Sequence, residues 1–342
     1  MIDFRSDTVT KPSDEMRRAM AAAEVGDDVY GEDPTVRRLE EMGAQMLGTQ
    51  DALFVCSGTM GNLLAVLTWC GRGTSALVGR GSHVYSFEAG GMAALGGVMP
   101  VVLDDSSGAP SEEEVLSSVP LRGNVHFAPG RLLCLEDTHN SRGGLALGPD
   151  RLRAPSGAAR SLGLKVHLDG ARLFNAALAV GCSPSDYGAV ADSIMVCLSK
   201  GLGAPMGSLL CGPADFVREA RHWRKRVGGG LRQAGVVAAA GIVALGQWGR
   251  LEEDHRKAQL LADMLEEGGL GVQRVPCPTN MVYLELPQHV RREEFVSNLA
   301  RQGVLVSPSP DGRIRLVTHR DVSWDQVVQG ARLVLKEAGF GS

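Results

Sequence analysis

Short apolar runs recur through the first two-thirds of this chain, near Ala52–Cys56, Ala76–Val78, Val98–Leu103, Leu132–Leu135, Leu164–Leu168, Ile194–Leu198 and Ser208–Cys211. Helical patterns fill several of the gaps, among them Gly61–Cys70 and Asp150–Leu162. Runs that are apolar throughout, rather than alternating, suit strands buried on both faces. Strands of that kind joined by helices build parallel sheets. The expected fold class is α/β: a large unit with a mostly parallel sheet covered by helices on both faces.

The ends of the chain read differently. Residues before Asp33 lack strong periodicity and suggest an extended arm with one short helix around Ser13–Ala22. Asp33-Pro34 then opens a helix, with an N-cap carboxylate, proline at the first helical position and Val36, Leu39 and Met46 on one face. Gly235–Gly246 is too short and too rich in alanine and glycine to span a bilayer, and reads as a helix inside the protein. After it come a charged amphipathic helix (Glu252–Glu267), strands at Met281–Leu286, Val304–Ser307 and Ile314–Val317, and helices at Glu293–Arg301 and Ser323–Ala338. The division expected is therefore an arm plus large domain over residues 1–251 and a small α+β domain over 252–342.

A length of 342 residues suffices for one large core with a smaller unit attached. The net charge of -4 gives no reason to expect nucleic acid or an anionic membrane as partner. The 7 cysteines are scattered without a CxxC pair, which suggests reduced thiols, no zinc site and a cytoplasmic location. No secretory leader is expected, because polar sequence begins at Asp3.

Two of the buried runs end in chemistry. Asp169 follows Leu164–Leu168, and Lys200 follows Ile194–Leu198 with Gly201 and Gly203 beyond it. A partly desolvated lysine gives up its proton readily and can form a Schiff base with a carbonyl. An aspartate on a neighbouring strand is what the ring nitrogen of pyridoxal phosphate needs to stay protonated. Cys56-Ser57-Gly58-Thr59-Met60-Gly61-Asn62 follows a strand and opens a helix, a setting that favours phosphate. Gly-rich turns of this kind also arise for geometric reasons alone.

Other residues leave two readings open. His83 is either a ring that stacks on a cofactor and moves protons or a hydrogen-bonded loop histidine, and His126 is a weaker candidate of the same kind. Arg172 could hold a cofactor oxygen or pair with Asp169. Arg315, in Ile314-Arg315-Leu316-Val317, meets a carboxylate or stands on a solvated sheet face, and periodicity favours the latter. The basic stretch Arg221–Arg226 reads as a solvated helix face, and Gly228-Gly229-Gly230 would let a loop approach a ligand.

In chain order, Arg5–Thr10, Gly26–Gly31, Phe87–Gly91, Thr138–Asn140, His167–Arg172, Cys197–Gly203 and Arg313–His319 resemble the low-specificity L-threonine aldolases, pyridoxal phosphate enzymes of the aspartate aminotransferase-like fold type I. The resemblance covers nearly the whole chain. It implies Lys200 as the Schiff-base lysine, Asp169 at the ring nitrogen, Gly58 and Thr59 at the phosphate, and His83 on the ring face. It further implies His83 or His126 in proton transfer, Arg172 at the ring hydroxyl or substrate, and Ser6 and Arg315 at the substrate carboxylate. Tyr30, Lys225 and Arg232 would reach the site across a subunit interface, the first two toward substrate and Arg232 toward cofactor. That implies a homo-oligomer, usually a tetramer of paired dimers. Asp137 departs from the asparagine expected in many relatives, which puts fine specificity in question.

The implied activity is retro-aldol cleavage of L-threonine or L-allo-threonine to glycine and acetaldehyde, extending to other β-hydroxy-α-amino acids and serving threonine breakdown and glycine formation. A β-eliminating lyase or aminotransferase on the same fold would keep Lys200 and Asp169. A binding protein that merely retains the fold has no need of Lys200, Asp169, His83 and Arg315 together. A nicotinamide-dependent oxidoreductase would want GxGxxG after the first strand, and Ser57–Gly61 does not fit it.

Overall fold

The computed structural model describes residues 1–119 and 124–340. The chain opens with β1 (Ile2–Asp3) and builds its central sheet from β2 (Asp51–Val55), β3 (Ser75–Gly79), β4 (Met99–Leu103), β5 (Gly130–Glu136), β6 (Lys165–Asp169), β7 (Ser193–Cys197) and β8 (Ser208–Gly212). Their order in the sheet is β2-β8-β7-β6-β5-β3-β4. Only β8 runs against its neighbours β2 and β7; the other pairings are parallel. β3, β7 and β8 are buried along their full length, as continuous apolar runs require.

The predicted N-cap is present. Asp33 Oδ1 accepts from Thr35 N–H at 3.1 Å and Val36 N–H at 3.0 Å at the start of the helix Pro34–Leu47. Its Oδ2 accepts from Gly235 N–H at 2.8 Å, so one carboxylate also fixes the start of the internal helix Gly235–Gly246. No helix among the described residues is long and apolar enough to cross a membrane.

The remaining strands are β9 (Gly271–Val272), β10 (Met281–Glu285), β11 (Val304–Leu305), β12 (Ser307–Pro308) and β13 (Ile314–Val317). Four of these form an antiparallel sheet, β12-β13-β10-β9. The hydrophobic core changes along the helix Leu251–Glu267: Leu251 packs in the large cluster, whereas Ala258, Leu261 and Leu265 pack in the C-terminal one.

The arm departs from its expected place with the large unit. β1 pairs in parallel with β11, and Ile2 and Phe4 are buried in the C-terminal cluster. Burying each of these side chains contributes on the order of 1.5–3 kcal/mol, enough to hold an otherwise irregular segment. The arm then crosses to the large unit, where Thr10 Oγ1 donates to the carbonyl of Lys200 at 2.9 Å.

Candidate active site at the C-terminal edge of the sheet

Because β3, β5, β6 and β7 are parallel, Gly79, Glu136, Asp169 and Cys197 all end at one edge of the sheet. Ligand crevices in α/β proteins form outside such strand ends. Here lies a cleft of about 580 Å³ whose lining includes Ser6, His83, Arg172, Lys200, Tyr283 and Arg315. The large unit thus supplies Lys200, Arg172 and His83, the C-terminal sheet supplies Arg315, and the arm supplies Ser6.

Asp169 is buried, and its two oxygens are engaged from opposite sides. Oδ1 accepts from Ala171 N–H at 3.0 Å, and Oδ2 accepts from the Asn62 side chain at 2.8 Å. The same Asn62 nitrogen donates to Glu88 Oε1 at 2.8 Å, and that oxygen lies 2.9 Å from His83 Nδ1. His83 N–H in turn donates to Glu136 Oε2 at 2.6 Å. Burial opposes a proton on His83, but the bond to Glu88 and the charge of Asp169 outweigh it, so its pKa lies above the ordinary value. With Nδ1 committed to Glu88, Nε2 is left for other partners.

His83, Glu88 and Asp169 bring ligand-type atoms within 4.8 Å of one another. Asn62 hydrogen bonds account for the placement of both carboxylates without an ion.

Arg172 does not pair with Asp169. Its guanidinium binds Asp7 of the arm, Nε to Oδ2 at 2.8 Å and Nη2 to Oδ1 at 2.5 Å, and both side chains are buried. Burial pushes the Asp7 carboxyl upward, yet Arg172 prevails and holds it well below the usual carboxylate range.

Arg315 does not stand on a solvated face. Ile314 and Leu316 point into the C-terminal core, so the alternate face turns toward the large unit. There Arg315 Nη1 donates to Asn140 Oδ1 at 3.0 Å and Nη2 to the Arg5 carbonyl at 3.1 Å, while Nε is buried without a partner. Tyr283 O–H donates to the Asn140 carbonyl at 2.9 Å, so Asn140 ties the two units together.

The predicted phosphate turn is a helix start. Ser57 Oγ accepts from Met60 N–H at 3.2 Å and caps the helix Gly58–Trp69, at whose exposed beginning Thr59 stands. A Cβ on Gly58 would lie 2.7 Å from Cys197 Sγ, so glycine is what lets the turn sit against β7. Free N–H groups at a helix start suit a phosphate dianion. Together with a lysine and a buried carboxylate at neighbouring strand ends, this donor set fits pyridoxal phosphate.

Seven of the expected residues are outside the lining of this cleft: Gly58, Thr59 and Asp169, placed above, and Tyr30, Lys225, Arg232 and His126. Tyr30 is 75% exposed, and Arg232 holds its segment, the Arg232 carbonyl accepting from Asp28 N–H at 3.0 Å. The Gly26–Gly31 segment is pinned from within: Asp27 accepts from Arg232 at 2.8 Å and Asp28 from Arg224 at 2.6 Å. His126 is exposed, with its N–H bonded to Asn124 Oδ1 at 3.1 Å, also outside the cleft.

One simpler expectation needs correction. The basic stretch is not wholly a solvated face, because Arg224 is 2% exposed in side chain and also donates to the Phe54 carbonyl at 2.7 Å. In the glycine run, a Cβ on Gly229 would lie 2.6 Å from Met60 Sδ, so glycine there lets the loop pack against the phosphate-turn helix.

Asp137, the odd residue of its motif, is fully buried and caps the helix Gly148–Ser161. Leu147 N–H donates to its Oδ1 at 3.0 Å, and Gly148 N–H and Tyr187 O–H donate to its Oδ2 at 2.9 Å each. Sequence reasoning missed roles for Asp7, Asn62, Glu88, Asn140 and Tyr283. All but Tyr283 fall inside stretches singled out by motif, and Tyr283 carried no local signal.

The family model described as beta-eliminating lyase matches residues 3–287. The chain is 43% identical to the low specificity L-threonine aldolase of Escherichia coli K12 over 334 residues, covering 97% of each. It is 42% identical to low-specificity L-threonine aldolase 1 of Arabidopsis thaliana over 333 residues, covering 95% of this chain and 93% of that one. In fold it is similar to the solved threonine aldolase of Leishmania major, with a TM-score of 0.85 and 19% identity over 99% of this chain and 100% of that one. The chain belongs to the beta-eliminating lyase family and, within it, to the low-specificity L-threonine aldolases.

Proposed function

We propose that this chain cleaves L-threonine and L-allo-threonine to glycine and acetaldehyde, accepts other β-hydroxy-α-amino acids, and thereby serves threonine breakdown. The observation that supports it is the convergence of Lys200, His83 and Arg315 on one cleft. Lys200 would hold the aldehyde of pyridoxal 5′-phosphate, Asp169 its ring nitrogen, Gly58 and Thr59 its phosphate, and His83 its face. When bound, the cofactor supplies an acceptor for the electron pair released as the Cα–Cβ bond breaks.

Threonine is the sum of glycine and acetaldehyde, so the reaction needs no oxidant and no net proton. It needs one proton taken from the β-hydroxyl and one returned to Cα. His83 is equipped for both, because Glu88 fixes its Nδ1 and orients Nε2. Arg315, with its unpartnered Nε, and Ser6 hold the substrate carboxylate in the forked manner that suits guanidinium. Arg172, locked by Asp7, is left to position the ring side or the substrate rather than to carry protons.

The active assembly is a homotetramer of paired dimers. Tyr30, Lys225 and Arg232 stand away from the cleft of their own chain, and they complete the site of a neighbour. The test is product analysis with L-threonine and the cofactor-loaded protein. Acetaldehyde and glycine in equal amounts, lost in Lys200→Ala, are expected. Ammonia with a keto acid would replace this reading by β-elimination.

A further inference from the structure

Behind Asp169, a line of buried polar side chains leads away from the cleft. Trp69 Nε1 lies 2.9 Å from Ser193 Oγ, Ser193 Oγ lies 2.9 Å from His167 Nδ1, and His167 Nε2 lies 3.0 Å from Asn62 Oδ1. Asn62, His167 and Ser193 are at most 1% exposed, so none can substitute water for a missing partner. None of the four touches the cleft.

The direction of each bond can be derived from both ends. Indole N–H can only donate, so Ser193 Oγ accepts from Trp69, and its own buried hydrogen is satisfied by donation to its other partner, His167 Nδ1. His167 is neutral, since burial lowers its pKa to about 4. It therefore accepts at Nδ1 and carries its hydrogen on Nε2, which requires the Asn62 oxygen to face it. From the other end, Asn62 meets Asp169 Oδ2 and Glu88 Oε1, both at 2.8 Å. Two carboxylate acceptors require the amide nitrogen on that side. Both constraints select the same tautomer and the same amide orientation.

We infer that Asn62 is a positioning residue for the reaction, its amide locked by Trp69, Ser193 and His167 so that it offers hydrogens to Asp169 and Glu88 at once. The inference rests on the proposed aldolase reading for the identity of the reaction. Asp169 would crowd Glu88 as a like charge, and a shared donor between them keeps both as acceptors. Asp169 is then held in place to accept from the ring nitrogen, while Glu88 remains the partner of His83 Nδ1. Trp69 anchors the far end, stacked on Phe216 with ring centroids 4.6 Å apart.

The experiment compares wild type, Asn62→Ala, Ser193→Ala and Ser193→Thr as cofactor-loaded proteins, following the absorbance of the Lys200-bound cofactor against pH and the affinity for pyridoxal phosphate. Without the amide, the contact between the Asp169 carboxylate and the ring nitrogen is no longer held in place, and the absorbance of the bound cofactor should respond to pH differently. Asn62→Ala is expected to shift the absorbance midpoint by about one unit and to weaken cofactor binding about tenfold. Ser193→Ala should move both in the same direction by less, and Ser193→Thr, which keeps the hydroxyl, should restore wild-type values. A folded Asn62→Ala protein with wild-type midpoint and affinity overturns the inference. Should Asn62→Ala not fold, a Ser193→Ala protein indistinguishable from wild type does the same. A wild type that shows the Asn62-dependent midpoint yet forms no acetaldehyde sinks the aldolase reading and upholds the role of Asn62.

Discussion

Asp7 and Arg172, 165 residues apart, close on each other through two charge-assisted hydrogen bonds, with Arg172 in the lining of the cleft. The pair joins the N-terminal arm to the strand end that carries Asp169. Breaking a buried pair by removing one partner leaves an uncompensated charge, which costs about 3–5 kcal/mol. Asp7→Ala is therefore expected to lower the urea midpoint strongly. Asp7→Ala/Arg172→Met, which removes both charges, should recover part of that stability while remaining inactive. Because the Asp7 pKa is depressed in the fold, its contribution is present above its unfolded value of about 3.9 and is lost as pH falls through the folded value. The deficit of the variant should thus shrink in strong acid.

Glu88 holds His83 Nδ1, and with His83 as the proposed base this pair is expected to set the acid limb of the rate profile. His83 has a raised pKa, so its neutral form, the form able to accept the β-hydroxyl proton, is populated only toward higher pH. Glu88→Gln removes the anion that stabilises the imidazolium. The acid limb of kcat/KM for L-threonine should move to lower pH, with a reduced plateau as Glu88 no longer fixes the ring. His83→Phe should lower kcat by about 10²–10⁴, the usual scale of general-base help, without comparable loss of cofactor. An unchanged acid limb in Glu88→Gln would assign the titration to another group.

The large sheet was legible because its signals are local. Each of its strands is a short apolar run with no competing helical period, and the N-cap Asp33 precedes proline within its own helix. The site was legible where a strand end carries a reactive residue, as at Asp169 and Lys200. What sequence could not show is pairing over long separations. Asn62 sits in an apolar helix and meets Asp169 from 107 positions away. Arg224 lies among basic neighbours, and its inward turn is decided by Asp28 and the Phe54 carbonyl. Ile2 and Phe4 read as an irregular arm because the sheet and core that receive them lie near residue 304.

If Arg232 acts in a neighbour's site, two inactive variants should complement each other. Lys200→Ala and Arg232→Ala each lack one part of every site as homo-oligomers. In a hybrid dimer one site lacks both parts and the other is intact. Random reassociation of equal amounts then restores about a quarter of wild-type activity, because half the dimers are hybrid and half of their sites are whole. Activity of the unfolded and refolded mixture reads this directly. No recovery, with hybrids demonstrated by mass, would place Arg232 in the site of its own chain or outside it.

Asp137 is cradled by donors on both oxygens, which an asparagine cannot match: turned either way, its NH₂ group meets the Leu147 or the Gly148 backbone N–H. Leaving one such donor unsatisfied costs about 1–3 kcal/mol. Against this, burial raises the Asp137 pKa to about 6, so its charged form is itself disfavoured in the fold. The folded protein binds this proton more tightly than the unfolded chain, so stability from this group declines as pH rises from the unfolded value toward 6. Asp137→Asn removes that titration. The urea midpoint of wild type, measured relative to Asp137→Asn, is expected to increase on going from about pH 8 to about pH 5, the window spanning the shifted pKa. A difference independent of pH would mean that the carboxylate keeps its charge across the window, held by its three donors against the cost of burial.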